Sequence, residues 1–268
     1  MEWRLPRVVP AATVTTHAKP HAQQQLARDS EVSLRNKFPE KRILMSKADV
    51  SDAFRNLGVD PDNAHNFCYT AGELVVIDFR LTLRWSGSPG FWGAMSAAAE
   101  HAHCNTTINS SQPLDEGKQM MAHVKVVNRW EEGKPTPIPP DAKIRVHTGG
   151  GIVDPFFTTV YVDDYLPTKV QHSDDDTTAL IASPSLASDH VRLFGPGEEG
   201  VTPILAPDKS TNWHTTIDAL GFTINSHTMK ISLSRVKVDA IKILLREQWP
   251  VTRRQAKVRE VLSMAGKL

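Results

Sequence analysis

The chain has 268 residues, 40% hydrophobic and 23% charged, with a net charge of +1, which is enough apolar material for one large domain or two small ones. No apolar run approaches the length of a membrane span and residues 1–18 lack a continuous apolar core, so a membrane-spanning and a secreted protein are both excluded and a cytoplasmic or nuclear one is expected. The two cysteines, Cys68 and Cys104, stand in unrelated segments, which excludes a disulfide scaffold and fits a reducing compartment.

Residues 1–40 are rich in Ala, Gln, Pro, Thr and His without apolar periodicity and read as an irregular lead-in. The apolar stretch Ile43-Leu44-Met45 then leads into Asp49, expected at the end of a strand, with a small turn or helix over Asp52, Ala53 and Phe54. Two strand-like runs, Phe67-Cys68-Tyr69 and Leu74 to Phe79, flank Ala71-Gly72-Glu73, a hairpin pattern expected to join the main sheet. Trp85-Ser86-Gly87-Ser88-Pro89 precedes a helical stretch, with Ser88 as the expected cap and Ala94, Ala97, Ala98 and Ala99 as the face that packs on the sheet. His101-Ala102-His103-Cys104 lacks the second ligand pair that zinc requires. Residues 104–150, with a strand-like Val124 to Val127 and a turn series from Pro135 to Pro140, read as an insertion.

Next comes the densest chemical signal, the apolar run Val160-Tyr161-Val162 delivering Asp163 and Asp164. Neighbouring side chains on a strand point to opposite faces, so two adjacent carboxylates converge on one site only near a turn. Two-metal phosphoryl transfer needs several carboxylate oxygens around ions about 3.5–4 Å apart, so a third must come from elsewhere, and Asp49 is the best candidate. Asp174-Asp175-Asp176 read as the cap of a helix that Pro184 ends early. Strand-like Thr223-Ile224 and Lys230 to Leu233 follow Leu220-Gly221-Phe222, while Val236, Ala240, Ile243 and Leu244 recur at helical spacing and a last helix covers Gln255 to Ala265. Residues 229–268 carry ten Lys or Arg against three acids, whereas 101–228 carry nine against sixteen, a partition suited to a phosphate backbone at one end and metal ions in the middle.

Four of these segments, in this order, resemble the motifs of reverse transcriptases. Asp49 to Phe54 is similar to motif A, Trp85 to Pro89 with its helix to motif B, Tyr161 to Asp164 to the Y-x-D-D box, and Leu220-Gly221-Phe222 to the primer grip. The nearest flavour is a retrotransposon enzyme. The resemblance implies an α+β fold: a polymerase palm with an antiparallel sheet backed by helices, incomplete fingers and the start of a helical thumb. Its divisions would be a lead-in (1–40), two palm halves (41–103 and 151–233) around the insertion (104–150), and the thumb start (234–268).

By the same resemblance Asp49, Asp163 and Asp164 would ligate two Mg²⁺ ions, with Mn²⁺ able to replace them. Asp52, Ala53, Phe54, Trp85, Gly87, Ser88, Pro89 and Lys209 would surround the nucleotide, Phe54 excluding ribonucleotides and Lys209 serving as general acid. Tyr161, Leu220, Gly221 and Phe222 would hold the primer. The implied partners are an RNA or DNA template with its primer, deoxynucleoside triphosphates and other domains of a polyprotein, with no membrane. Two departures, the short lead-in before Asp49 and the bulky Leu83-Arg84 before motif B, imply weak or absent activity in the isolated chain. The competing expectation is a non-enzymatic remnant that binds nucleic acid through its basic C-terminal segment.

Overall fold

A computed structural model of the chain describes residues 32–83, 85–105, 114–126, 157–173, 178–198, 202–250, 252 and 255–265. The fold is α+β with antiparallel pairing throughout its sheets, as the sequence predicts. A helical turn over 32–37 (α1) lies within the stretch expected to be irregular, because Leu34 buries itself against Ile43, Val170 and Phe38.

The main sheet is organised around β6 (Asp164–Gln171), every residue of which after Asp164 is buried. One edge of β6 pairs with β5 (Phe157–Tyr161); the other is shared by β1 (Arg42–Met45) and β2 (Ala48–Asp49) in tandem. Pro167 sits in this central strand, a position that normally excludes proline because the ladder needs its N–H. Here its carbonyl accepts from the Ser46 N–H, at the break between β1 and β2. The absent N–H therefore faces a gap in the ladder rather than a partner strand.

Helices α2 (Ser88–Asn105) and α4 (Ala179–Phe194) back this sheet, with α3 (Asp115–Met120) against α4. The buried face of α2 is Ser88, Trp92, Ser96, Ala99 and His103, while Ala94, Ala97 and Ala98 are exposed, which corrects the expected alanine face. Ser88 is the first residue of the helix rather than its cap: the Gly87 carbonyl accepts the Gly90 and Phe91 N–H groups, and the Ser88 hydroxyl donates to the Thr82 carbonyl at 2.6 Å. Helix α4 runs straight through Pro184, where an early end was expected. Burial of Ala182, Ser183, Leu186, Ala187 and His190 outweighs the interior-proline penalty of about 3 kcal/mol. The Asp174 to Asp176 cap lies outside the described residues. Val124 and Val126 join the core beside Trp213, Val126 through one isolated bridge rather than the expected strand.

The expected hairpin forms from β3 (Cys68–Ala71) and β4 (Leu74–Ile77), with Ala71 in the strand and Gly72-Glu73 as its turn, but as a sheet of its own and not part of the main one. A short ladder follows between β7 (Gly197–Glu198) and β8 (Thr202–Pro203). A meander of β9 (Thr216–Ala219), β10 (Phe222–Asn225) and β11 (Lys230–Leu233) joins the main sheet through a second cluster that includes Met45, Leu166, Ile217 and Ile224. Two amphipathic helices end the described chain, α5 (Arg235–Glu247), capped by Ser234, and α6 (Val258–Ala265). None of the helices in the described residues is long and apolar enough to cross a membrane.

Candidate active site

The register of the main sheet brings the separated acids together. Asp49 and Asp164 are Cα partners across β2 and β6, and Tyr161 is the partner of Asp164 on the other side. Val162 and Asp163 form the two-residue turn between β5 and β6, which puts Asp163 next to both. Direct cross-strand partners share a face of the sheet, so two carboxylates stand side by side where like charges are ordinarily destabilising.

Backbone contacts hold the tip in place. Val162 adopts φ 57, a conformation that β-branched residues avoid. Its carbonyl accepts the indole N–H of Trp92, and the Asp163 carbonyl accepts the Val50 N–H at 3.0 Å. A helix and a strand thus constrain the same two peptide groups.

Two lysines answer the accumulated charge. Lys209 Nζ donates to Asp49 Oδ1 at 2.8 Å. It is brought there by the 204–206 segment, which bonds along Asp49 to Ser51 before the 3₁₀ turn Pro207–Lys209. The Asp49 hydrogen bond and charge push the Lys209 ammonium pKa up, so it stays protonated through neutral pH. Lys47 Nζ stands 2.8 Å from Asp164 Oδ1, an oxygen closed off from solvent that this ammonium balances without an aligned hydrogen bond. Asp163 has no such partner within ion-pair distance among the described residues. Burial, then the charges of Asp49 and Asp164, push its carboxyl above the usual range, partly offset by its own backbone N–H and by Lys209.

The donor chemistry is that of a divalent cation site, because Asp49 and Asp164 stand side by side across the sheet with Asp163 at the adjoining turn, all hard anionic oxygens. The three carboxylates do not converge on one point. Among the described residues no group of three His, Cys, Asp or Glu side chains is placed to hold an ion.

No family model matches the chain, and no curated protein matches it. Among solved structures it is similar to a foamy viral protease-reverse transcriptase in complex with double-stranded DNA, at 14% identity and a TM-score of 0.47 over 85% of this chain and 27% of that one. The same kind of protein in complex with an RNA/DNA hybrid aligns at 15% identity and a TM-score of 0.46, over 84% of this chain and 20% of the other. An apo telomerase from Candida tropicalis, truncated from its C-terminal domain, aligns at 11% identity and 0.37, over 78% and 40%. The chain spans about a quarter of the length of the first of these.

The remaining predicted positions divide into those near the carboxylates and those apart. Asp52 takes a left-handed φ of 46 and opens the 3₁₀ turn Ala53–Asn56; Ala53 is buried and Phe54 half-buried against the main core. Helix α2 packs on this turn. At its start Trp85 stacks on Phe91 and meets Phe67 edge-on, and a Cβ on Gly87 would stand 2.6 Å from the Trp85 ring. Ser88 and Pro89 open the helix itself. Leu220 and Gly221, with φ 54 and 79, form the β9–β10 turn in the second sheet, and Phe222 lies under the Lys237 ammonium. Arg55 is paired with Asp78 at 2.9 Å, and Arg84 lies outside the described residues.

Sequence reasoning passed over Lys47, Val50 and Trp92. Lys47 carried a usable signal: two residues before Asp49 on an extended segment, it belongs on the same face. Trp92 carried none, since a tryptophan in a helix most often reads as core.

Proposed function

We propose that this chain is the palm-containing part of a template-directed DNA polymerase of the reverse-transcriptase kind, derived from a retrotransposon. The observation that supports this most is the cross-strand pairing of Asp49 with Asp164 beside Asp163, which unites residues 115 positions apart in sequence at a hairpin tip. The four motifs in their order add to it.

Asp49 and Asp163, with Asp164 beside them, would hold Mg²⁺. Bound there, the metal supplies Lewis acidity that lowers the pKa of a primer 3′-hydroxyl and offsets charge on the α-phosphate and leaving pyrophosphate. The protein's own part is to fix the carboxylates through the Trp92 and Val50 contacts and to present Lys209, kept protonated, where a triphosphate enters. Phe54 would face the sugar at its 2′ carbon and exclude ribonucleotides. Template-primer and deoxynucleoside triphosphates are the proposed substrates.

The test is Mg²⁺-dependent extension of a primer on poly(rA) by the purified chain, beside Asp163→Asn. Extension that falls at least a hundredfold in the variant supports the reading. Extension that survives the substitution rejects the assigned chemistry, and none from either folded protein moves the reading to a remnant that binds nucleic acid without copying it.

A further inference from the structure

The two lysines at the carboxylates differ in kind. Lys209 lies on a three-residue turn with its side chain 56% exposed, so its bond to Asp49 is readily exchanged with solvent or a ligand. Lys47 is 23% exposed in its side chain and its backbone is held at both polar groups. Its N–H donates to Thr211 Oγ1 at 2.8 Å and its carbonyl accepts the Thr211 N–H at 2.9 Å. Its partner oxygen, Asp164 Oδ1, is closed to solvent. Displacing this ammonium would leave a cation and a carboxylate without compensation in a half-buried place, which is strongly unfavourable.

We propose that Lys47 is the resident counter-ion of Asp164, so that a divalent cation is held principally by Asp49 and Asp163 and Lys47 sets how tightly it binds. The inference rests on the cation-binding reading above and divides the labour within it. Two carboxylates suffice for Mg²⁺, which binds through one or two of them and completes its shell with water and substrate phosphates. Lys47 is thus a positioning residue: it orients Asp164 and reduces the net negative charge of the site by one.

The experiment is Mn²⁺ titration of the full chain without nucleotide, followed by the loss of the free-ion paramagnetic resonance signal. Folding of every variant is checked by circular dichroism. Asp49→Asn or Asp163→Asn should weaken binding at least tenfold. Lys47→Met should tighten it about tenfold, and Lys47→Arg should bind as the wild type does. The deciding variant is Lys47→Met/Asp164→Asn, which removes the pair together and leaves no unpaired charge behind. It should bind Mn²⁺ within about threefold of the wild type, and it decides the matter if the single Lys47→Met does not fold.

Binding by the double variant as weak as that of Asp163→Asn would make Asp164 a principal ligand and overturn the division of labour. So would an unchanged affinity in a folded Lys47→Met. Either result leaves the polymerase reading standing. Failure of the wild type to bind Mn²⁺ at millimolar concentration would overturn both.

Discussion

At the scale of single residues, a buried histidine at the back of the sheet makes stability depend on pH. His190 on α4 is fully buried; its Nδ1–H donates to the Leu186 carbonyl at 2.8 Å and its Nε2 has no hydrogen-bond partner among the described residues. The groups facing it are Tyr165, His103, Asp189 and the ring of Phe194. Burial lowers its pKa to about 4, aided by His103 and opposed by the Leu186 carbonyl and Asp189. The unfolded chain therefore takes up a proton near pH 6.5 that the folded chain refuses until about pH 4. Stability contributed by the neutral ring is intact above pH 6.5 and falls as pH drops toward 4, by about 3 kcal/mol from this one group. Urea unfolding at pH 7 and pH 4 should show His190→Leu losing about 3 kcal/mol less than the wild type over that interval. Parallel losses would assign the acid sensitivity elsewhere. Residues of this kind were only partly legible in the sequence. Asp49 at a strand end and Asp163 at a turn could be read from local pattern, whereas the left-handed Val162 could not, because propensity opposes it and only the Trp92 and Val50 contacts impose it.

At the scale of elements, the strands and turns were more legible than the helix faces. The β3–β4 hairpin and the β5–β6 pair follow runs of apolar and β-branched residues joined by turn residues, signals that act within a few residues. The buried face of α2 has the expected helical spacing, but it includes Ser88, Ser96 and His103, so hydrophobicity does not mark it. The packing of α3 on α4 depends on another feature that hydrophobic pattern does not reveal. A Cβ on Gly117 would collide with Ser188 Oγ and stand 2.6 Å from the Pro184 carbonyl oxygen. Ser188 Oγ cannot simply rotate away, because it donates to that carbonyl and accepts the Leu114 N–H. Gly117→Ala must therefore push α3 off α4, and thermal unfolding should report a loss of about 1–3 kcal/mol. A stability equal to that of the wild type would mean that α3 shifts without cost and contributes little to the core.

At the scale of the whole molecule, charge is partitioned along the chain more sharply than the net value of +1 implies. Acids outnumber bases sixteen to nine over residues 101–228, Lys47 and Lys209 pair with Asp164 and Asp49 at the main sheet, and ten Lys or Arg face three acids over residues 229–268. Helix α5 buries none of its residues, and Arg246, Lys257 and Arg259 are exposed. An exposed basic surface of this kind binds a phosphate backbone by releasing condensed counterions, so its contribution is read from salt dependence rather than from affinity at a single salt concentration. If all three residues meet phosphates of a duplex, Arg246→Ala/Lys257→Ala/Arg259→Ala should lower the slope of log affinity against log salt by about 2.7, since each neutralised phosphate contributes about 0.9. Fluorescence anisotropy of a labelled template-primer across a salt series measures it. An unchanged slope would mean that these side chains are a solvated face, and that nucleic acid, where it binds, is held by other residues. The test is independent of catalysis, because a polymerase and a catalytically silent remnant predict the same slope and differ only in whether Asp163→Asn abolishes extension.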